Sequence, residues 1–276
     1  MRSFLLFNSY ASMGSMQAHR EDFFDTHVHL DRLPDELDPA TEIGCAQRKG
    51  IGRFLLPGIE PQNWPGLLEI ATTLPGCLTA PGVHPLAAHL WNDDIASQLR
   101  TLVDRPQVVA IGEIGLDGHL EHPVAEIQEQ ALRGQLRLAR QAGLPVLLHC
   151  RKANGRLLDI LRQEQAADYG GIWHAFSGSQ ETALAAIKLN FAIAFGGPLT
   201  WPDARRGPEV LKALPAEWIV LESDAPDLAP HPHRGETNRP SYLSLVAERV
   251  ANLRGWSLAE TASITTANAC RVLRLK

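Results

Sequence analysis

Histidine and carboxylate residues follow short apolar segments at several points of this 276-residue chain, and both types of side chain bind divalent metal ions. His27 and His29 form an HxH pair, and positions i and i+2 of a strand share a face, so both imidazoles can reach one ion. The complete set of ligand-type residues at segment ends is His27, His29, Glu113, His149, His174 and Asp224. We therefore predict that these six residues hold two divalent ions, Mg²⁺, Mn²⁺ or Zn²⁺.

Each of these residues also has a plainer interpretation. An isolated HxH pair is more often structural than metal-binding, and a single strand-end histidine is more often a satisfied core residue. Glu113 lies among glycines after a buried segment, where it could pair with an arginine. A buried carboxylate without a positive partner would be costly, however, and ligand-type residues recur at five segment ends. This recurrence favours the metal site.

Three residues are candidates for the catalytic step itself. Glu113 would bridge the two ions, and Asp224 would complete one ligand shell and accept a proton from water. His84 would contact substrate or assist the leaving group, with a plain turn residue as the alternative. Glu222, two positions before Asp224, either supports the site or belongs to the barrel wall.

Alternating apolar and amphipathic segments define the elements that must position these residues. Eight β-prone segments recur, and several are apolar on both faces, as in a buried parallel sheet. They cover residues 23–27, 52–57, 78–82, 108–112, 145–149, 171–174, 191–195 and 218–222. Helical patterns lie between them, for example at 126–142, 181–189, 240–253 and 258–273. The pattern predicts an α/β fold, a single (β/α)₈ TIM barrel, with a doubly wound open sheet as the alternative.

The barrel fold explains where the ligand-type residues fall, because barrel active sites lie at the C-terminal ends of the strands. We assign residues 21–276 to one barrel domain and residues 1–20 to a disordered N-terminal extension. The proline-rich stretch 225–240 is expected to be a long functional loop at the barrel mouth.

Composition narrows the class of protein. The net charge of −5 argues against a protein that grips long nucleic acid, since phosphate neutralisation requires basic residues, so nucleic-acid contact should be local or transient. No segment has the apolar length of a membrane span or signal peptide, which predicts a cytoplasmic protein, and we expect a monomer. The four widely spaced cysteines indicate free thiols. Cys150, beside His149, is a weaker candidate for a nucleophile.

Five strings in the chain together resemble the TatD family of metal-dependent deoxyribonucleases, which are amidohydrolase-like TIM barrels. The strings are DTHVHL at 25–30, GVHP at 82–85, GEIGLD at 112–117, HAFSG at 174–178 and ESDAP at 222–226. They occur in the family's order and spacing from about residue 23 to the C-terminus. The family's metal ligands map onto the same six residues.

This resemblance implies hydrolysis of phosphodiester bonds in DNA by a metal-activated water, with exonuclease action on single strands. The departures from the family pattern are Gly118, Ala175 and Arg239, which fall in mouth loops and bear on substrate preference. Two alternatives stay open: a metal-dependent amide or ester hydrolase, such as a deacylase acting on aminoacyl-tRNA, and a non-enzymatic metal-stabilised binding protein.

Residues that follow strands five to seven are candidates for holding such a nucleic-acid substrate. Basic side chains there would contact flanking phosphates, an aromatic ring would stack a base, and loop amides would donate to a phosphate. These candidates are Arg151, Lys152, Arg205, Arg206, Phe176, Trp201, Ser177 and Gly178. The plainer interpretation of each basic residue is a solvated surface charge.

Overall fold

The computed structural model describes residues 22–275 as parallel strands alternating with helices. The strands are β1 Phe23–Asp25, β2 Ile51–Pro57, β3 Cys77–Ala80, β4 Ile111–Asp117, β5 Val146–Arg151, β6 Gly171–Trp173, β7 Phe191–Phe195 and β8 Ile219–Leu221. The helices are α1 Pro39–Arg48, α2 Trp64–Thr73, α3 Asp93–Leu102, α4 Ala125–Ala142, α5 Asn154–Gln163, α6 Gln180–Ile187, α7 Arg206–Ala213, α8 Leu243–Arg254 and α9 Leu258–Val272. The extension predicted over 1–20 lies outside the described residues.

The eight strands form one curled sheet in the order β3-β2-β1-β8-β7-β6-β5-β4. The two edge strands of this sheet, β3 and β4, meet through Thr79 of β3, which hydrogen-bonds to the segment just before β4. The Thr79 amide donates to the Gln107 carbonyl at 2.9 Å, and the Val109 amide donates to the Thr79 carbonyl at 3.1 Å. The sheet is therefore a closed (β/α)₈ barrel, as predicted, and the doubly wound alternative is excluded.

The fourth strand lies further along the chain than predicted. It was expected over 108–112, but β4 runs from Ile111 to Asp117 and pairs with β5 as far as Asp117 opposite Arg151. The glycines of this segment resemble a loop in the sequence, although every residue of the strand is buried. Glu113 consequently lies within a strand, where backbone pairing fixes its direction.

Two apolar layers surround the barrel wall. Phe24, Leu55 and Leu147 point inward with other buried residues, while the alternate residues pack outward on the helices. Val272 and Leu273, at the end of α9, belong to the inner layer and close the N-terminal end of the barrel. The ligand-type residues that follow the strands lie at the opposite, C-terminal end.

The predicted long loop is present after β8, since residues 222–239 contain no helix or strand. Asn238 fastens this loop: it is fully buried, and its Nδ2 donates to the carbonyls of Ser223 at 2.6 Å and Asp227 at 2.7 Å. The α8 helix begins at Leu243, three residues later than predicted, because 240–242 forms a 3₁₀ turn. Among residues 22–275, no helix combines the length and apolar character needed to cross a membrane.

Candidate metal centre and substrate cleft

The HxH pair converges with Asp224 at the barrel mouth. The Nε2 atoms of His27 and His29 lie 3.2 Å apart, and Asp224 Oδ1 lies 3.9 Å and 3.7 Å from them. Metal–ligand bonds of about 2.0–2.2 Å in a tetrahedral shell separate ligand atoms by about 3.3–3.6 Å. The three side chains are buried, so this spacing fits one shared cation.

Glu113 lies at the centre of the site, between two groups of histidines. Its Oε2 is 3.2 Å from His27 Nε2, whereas its Oε1 is 2.8 Å from His149 Nδ1 and 3.8 Å from His174 Nε2. The two oxygens thus face different imidazoles. This is the arrangement that a carboxylate bridging two cations requires.

Glu222 orients His174. The His174 Nδ1 lies 2.9 Å from Glu222 Oε2, and the Ala175 amide donates to Glu222 Oε1 at 2.8 Å. With Nδ1–H donated to this carboxylate, His174 presents the lone pair of Nε2 to Asp224 and Glu113. This contact favours the interpretation of Glu222 as a residue that supports the site, over that of a plain barrel-wall residue.

Asp117 contacts His149 as Glu222 contacts His174, but through Nε2 of the ring and not through Nδ1. Its Oδ2 lies 3.4 Å from His149 Nε2, while Nδ1 of the same ring faces Glu113. His149 and His174 therefore offer different nitrogens to the site, and each has its own carboxylate partner.

A buried contact between β1 and the end of β8 places Asp224. Asp25 is fully buried and accepts hydrogen bonds from the Ser223 amide at 2.8 Å and the Ser223 hydroxyl at 2.6 Å. Asp224 follows at once in the left-handed region, with φ 59°, which a non-glycine residue adopts only when its surroundings hold it there. Asp25 is therefore part of what aims the Asp224 carboxylate.

His84 lies at the edge of the same cluster. Its Nδ1 accepts from the Leu86 amide at 3.0 Å, so the ring hydrogen is on Nε2, which lies 3.7 Å from Glu113 Oε1. Burial lowers the pKa of His84 to about 3. The ring is thus a neutral N–H donor facing the site.

The histidines of the site divide into two electrostatic groups. Burial lowers the pKa of His27 to about 4 and holds that of His29 well below its usual value, which keeps both imidazoles neutral. Burial also disfavours the charged form of His174, but Glu222, Asp224 and Glu113 outweigh it and raise the pKa to about 10. A strongly negative potential therefore surrounds His174.

The donor set fits divalent cations. Within residues 22–275, the ion-pair partners of Glu113, Asp117, Asp224 and Glu222 are histidines alone. Buried carboxylates in such number need positive charge nearby, and the neutral imidazoles of His27 and His29 cannot supply it. All six predicted ligands and His84 are thus brought together, and their role as ligands remains a prediction that this geometry supports.

A cleft of about 730 Å³ opens beside these residues and includes His149, His174 and Asp224 in its wall. Of the residues expected to hold substrate, seven line it: Arg151, Phe176, Ser177, Gly178, Trp201, Arg205 and Arg206. Lys152 does not line it, and its Nζ lies 3.2 Å from His119 Nδ1. Their roles toward a substrate remain predictions.

The alternative cysteine nucleophile has little support. Cys150 lines the cleft, but it is buried, its thiol donates to Asn154 Oδ1 at 3.2 Å, and it packs in the outer apolar layer between sheet and helices. Burial raises the pKa of this thiol to about 12, so the thiolate that would act as nucleophile is scarce.

Three contacts of the site have weak sequence signals. Asp25 and Asp117 stand inside the quoted strings, but nothing in their spacing shows that they meet Ser223 and His149. Arg234, which lines the cleft from the long loop, has only its charge and its place in that loop as a signal.

Comparison with known proteins places these features in a family. Residues 24–274 match the family described as TatD related DNase. The chain is 37% identical to the uncharacterized metal-dependent hydrolase YabD of Bacillus subtilis, over 91% of this chain and 99% of that protein. It is 35% identical to the 3'-5' ssDNA/RNA exonuclease TatD of Cronobacter sakazakii, over 90% and 97% of the two chains.

A solved structure agrees with this assignment. The TatD homologue YjjV of Escherichia coli K12 superposes with a TM-score of 0.87 at 32% identity, covering 92% of this chain and 98% of that one. The chain therefore shares the fold of this TatD homologue.

Proposed function

The chain belongs to the TatD family of metal-dependent hydrolases, and we propose that it hydrolyses phosphodiester bonds of DNA, removing nucleotides from the end of a single strand. The observation that carries this proposal is the convergence of imidazole and carboxylate atoms around Glu113, beside a cleft with arginines on its wall. A buried anionic site suits two cations, and the arginines suit a polyanion.

The ligand residues would hold two divalent ions. His27, His29 and Asp224 would hold one, His149 and His174 the other, and Glu113 would contact both. When bound, such ions lower the pKa of a water molecule and neutralise charge that develops on a phosphoryl group. The number and identity of the ions are part of the proposal.

The other side chains then have defined tasks. Asp224 accepts the proton of the attacking water through Oδ1, which faces the histidines. His84 donates a hydrogen bond from Nε2 to the leaving oxygen, a role open to a neutral imidazole. Arg205 and Arg206 hold phosphates next to the reacting one.

The direct test is hydrolysis of a linear single-stranded oligonucleotide with added Mg²⁺ or Mn²⁺. Activity should stop with a chelator, and Glu113→Ala and Asp224→Ala should lose more than the roughly 10–100-fold that loss of a supporting partner costs. Glu129→Ala, which alters a partly buried carboxylate on α4 that pairs with Arg156, is the control and should keep full activity. Circular dichroism would check that all three variants fold.

Two results would contradict the proposal. The first is cleavage at the normal rate by both Glu113→Ala and Asp224→Ala. The second is metal-dependent turnover of amide or carboxylic ester substrates, including aminoacyl-tRNA, without turnover of any phosphodiester. That outcome would be consistent with the metal centre, but the atom attacked by water would be a carbonyl carbon and not a phosphorus.

A further inference from the structure

A seam between the loop after β7 and the long loop after β8 forms part of the cleft wall, where Trp201 and Leu228 line it. The Trp201 indole N–H donates to the Ala229 carbonyl at 2.9 Å, and the His231 amide donates to Thr200 Oγ1 at 2.7 Å. At Gly197 the two loops approach so closely that a Cβ atom would overlap the Leu228 carbonyl. Backbone and side-chain contacts therefore leave no passage between these loops.

Arg234 covers one face of Trp201 at this seam. Its guanidinium carbon lies 4.0 Å from the centre of the indole ring, and its Nη1 lies 2.6 Å from Asp203 Oδ1. The indole ring on one side and the carboxylate of Asp203 together hold the guanidinium in place. Since Arg234 also lines the cleft, its plane is a preformed surface there.

The wall of the cleft near this surface is mainly apolar. Phe195, Leu199 and Val210 line it, and Leu228 is 38% exposed there, although such a side chain is normally buried. Arg205 and Arg206 also line the cleft. A mainly apolar cleft that is lined by a planar cation and by two further arginines suits a nucleoside attached to a phosphate.

We propose that this part of the cleft is the subsite for the terminal nucleoside of a single strand, and that the base stacks on the guanidinium of Arg234. The inference rests on the proposed function, which supplies the phosphodiester bond beside His174 and Asp224. Because the seam blocks the path between the β7 and β8 loops, a chain that places its base against Arg234 has to end there. Arg234 thereby makes the enzyme select strand ends.

Binding of deoxyadenosine 5'-monophosphate to the whole protein, by calorimetry, tests the subsite without any turnover. Arg234→Ala should weaken binding by about tenfold, within the range for loss of one stacked base. Arg234→Lys keeps the charge near Asp203 but not the plane, and should weaken binding by a similar factor. Arg156→Ala is the matched control. The side chains of Arg156 and Arg234 are 50% and 48% exposed, and each pairs with one carboxylate. Arg156, however, lies on α5 and does not line the cleft.

A kinetic comparison then tests end selection. The wild-type protein should degrade linear single-stranded DNA and leave a circular strand of the same sequence intact. Arg234→Ala should raise KM for the linear strand by about tenfold, with kcat changed less than threefold.

The outcomes separate the two proposals. Wild-type binding of the nucleotide without cleavage of any DNA would overturn the proposed function and retain the subsite. Cleavage of the circular strand at the linear rate would overturn the inference and the removal of nucleotides from strand ends, whereas phosphodiester hydrolysis itself would stand. Equal dissociation constants for wild type, Arg234→Ala and Arg234→Lys would also overturn it, and recovery of wild-type binding by Arg234→Lys would show that charge, not the plane, is recognised.

Discussion

Glu222→Gln is the sharpest test of how the site is held together. The substitution keeps the side chain's size but replaces one of its two acceptor oxygens by an NH₂ donor. Both oxygens are in use, one by His174 Nδ1 at 2.9 Å and one by the Ala175 amide at 2.8 Å. The amide can satisfy only one of these donors.

Each orientation of the glutamine has a cost. With its oxygen toward Ala175, its NH₂ faces His174 Nδ1, which must become the acceptor, and the ring hydrogen moves to Nε2. That hydrogen occupies the position where the lone pair of Nε2 faces Asp224, 3.7 Å away. With the oxygen toward His174, two donors face each other at Ala175, at a cost of about 1–3 kcal/mol for a buried unpaired group.

We therefore expect Glu222→Gln to bind Mn²⁺ about 10–100-fold more weakly than wild type, the usual effect of removing a carboxylate that supports a histidine ligand. That factor corresponds to about 1.4–2.7 kcal/mol. Calorimetric titration of chelator-treated protein with Mn²⁺ measures it directly, and Glu129→Gln on α4 is the control. A dissociation constant within twofold of the wild-type value would refute the reasoning and leave Glu222 as a residue of the barrel wall.

Three further predictions follow from single contacts. His84→Ala removes the Nε2–H donor and should lower kcat on single-stranded DNA by about 10²-fold, with Mn²⁺ affinity unchanged, as measured by kinetics and calorimetry. Gly115→Ala places a Cβ against the His149 carbonyl and should lower the free energy of unfolding by about 1–3 kcal/mol or more, as measured by urea denaturation. Burial raises the pKa of the Cys77 and Cys150 thiols to about 12, so at pH 8 both should react with a thiol reagent far more slowly in native than in unfolded protein.

Each of these predictions has its own contrary result. A His84→Ala variant that loses Mn²⁺ would identify the ring as a ligand. Wild-type stability of Gly115→Ala would show that β4 and β5 can separate locally. Rapid native labelling of Cys150 would restore it as a candidate nucleophile. Gly155→Ala, at a position where an added Cβ meets no neighbouring atom, is the control for the glycine change.

Much of the fold could be predicted because its signals are local. Segments that are apolar on both faces predicted eight parallel strands, and the alternation with helices predicted the barrel. The exception is β4, because its glycines are not typical of a strand. Its extent follows only from its pairing with β5. A periodic pattern reports burial, whereas backbone pairing between distant segments leaves little trace in either segment.

The sequence by itself determined which residues of ligand type stand at the strand ends, since a strand's end and the direction of its side chains are local properties. Only the tertiary structure decided how they work together: that Glu113 faces two groups of histidines, that Glu222 and Asp117 orient different nitrogens of two rings, and that Asp25 aims Asp224. It also brought Arg234 onto Trp201. These contacts join residues from different strands and loops, and their distances depend on the closure of the barrel, which fixes every strand end relative to the others at once.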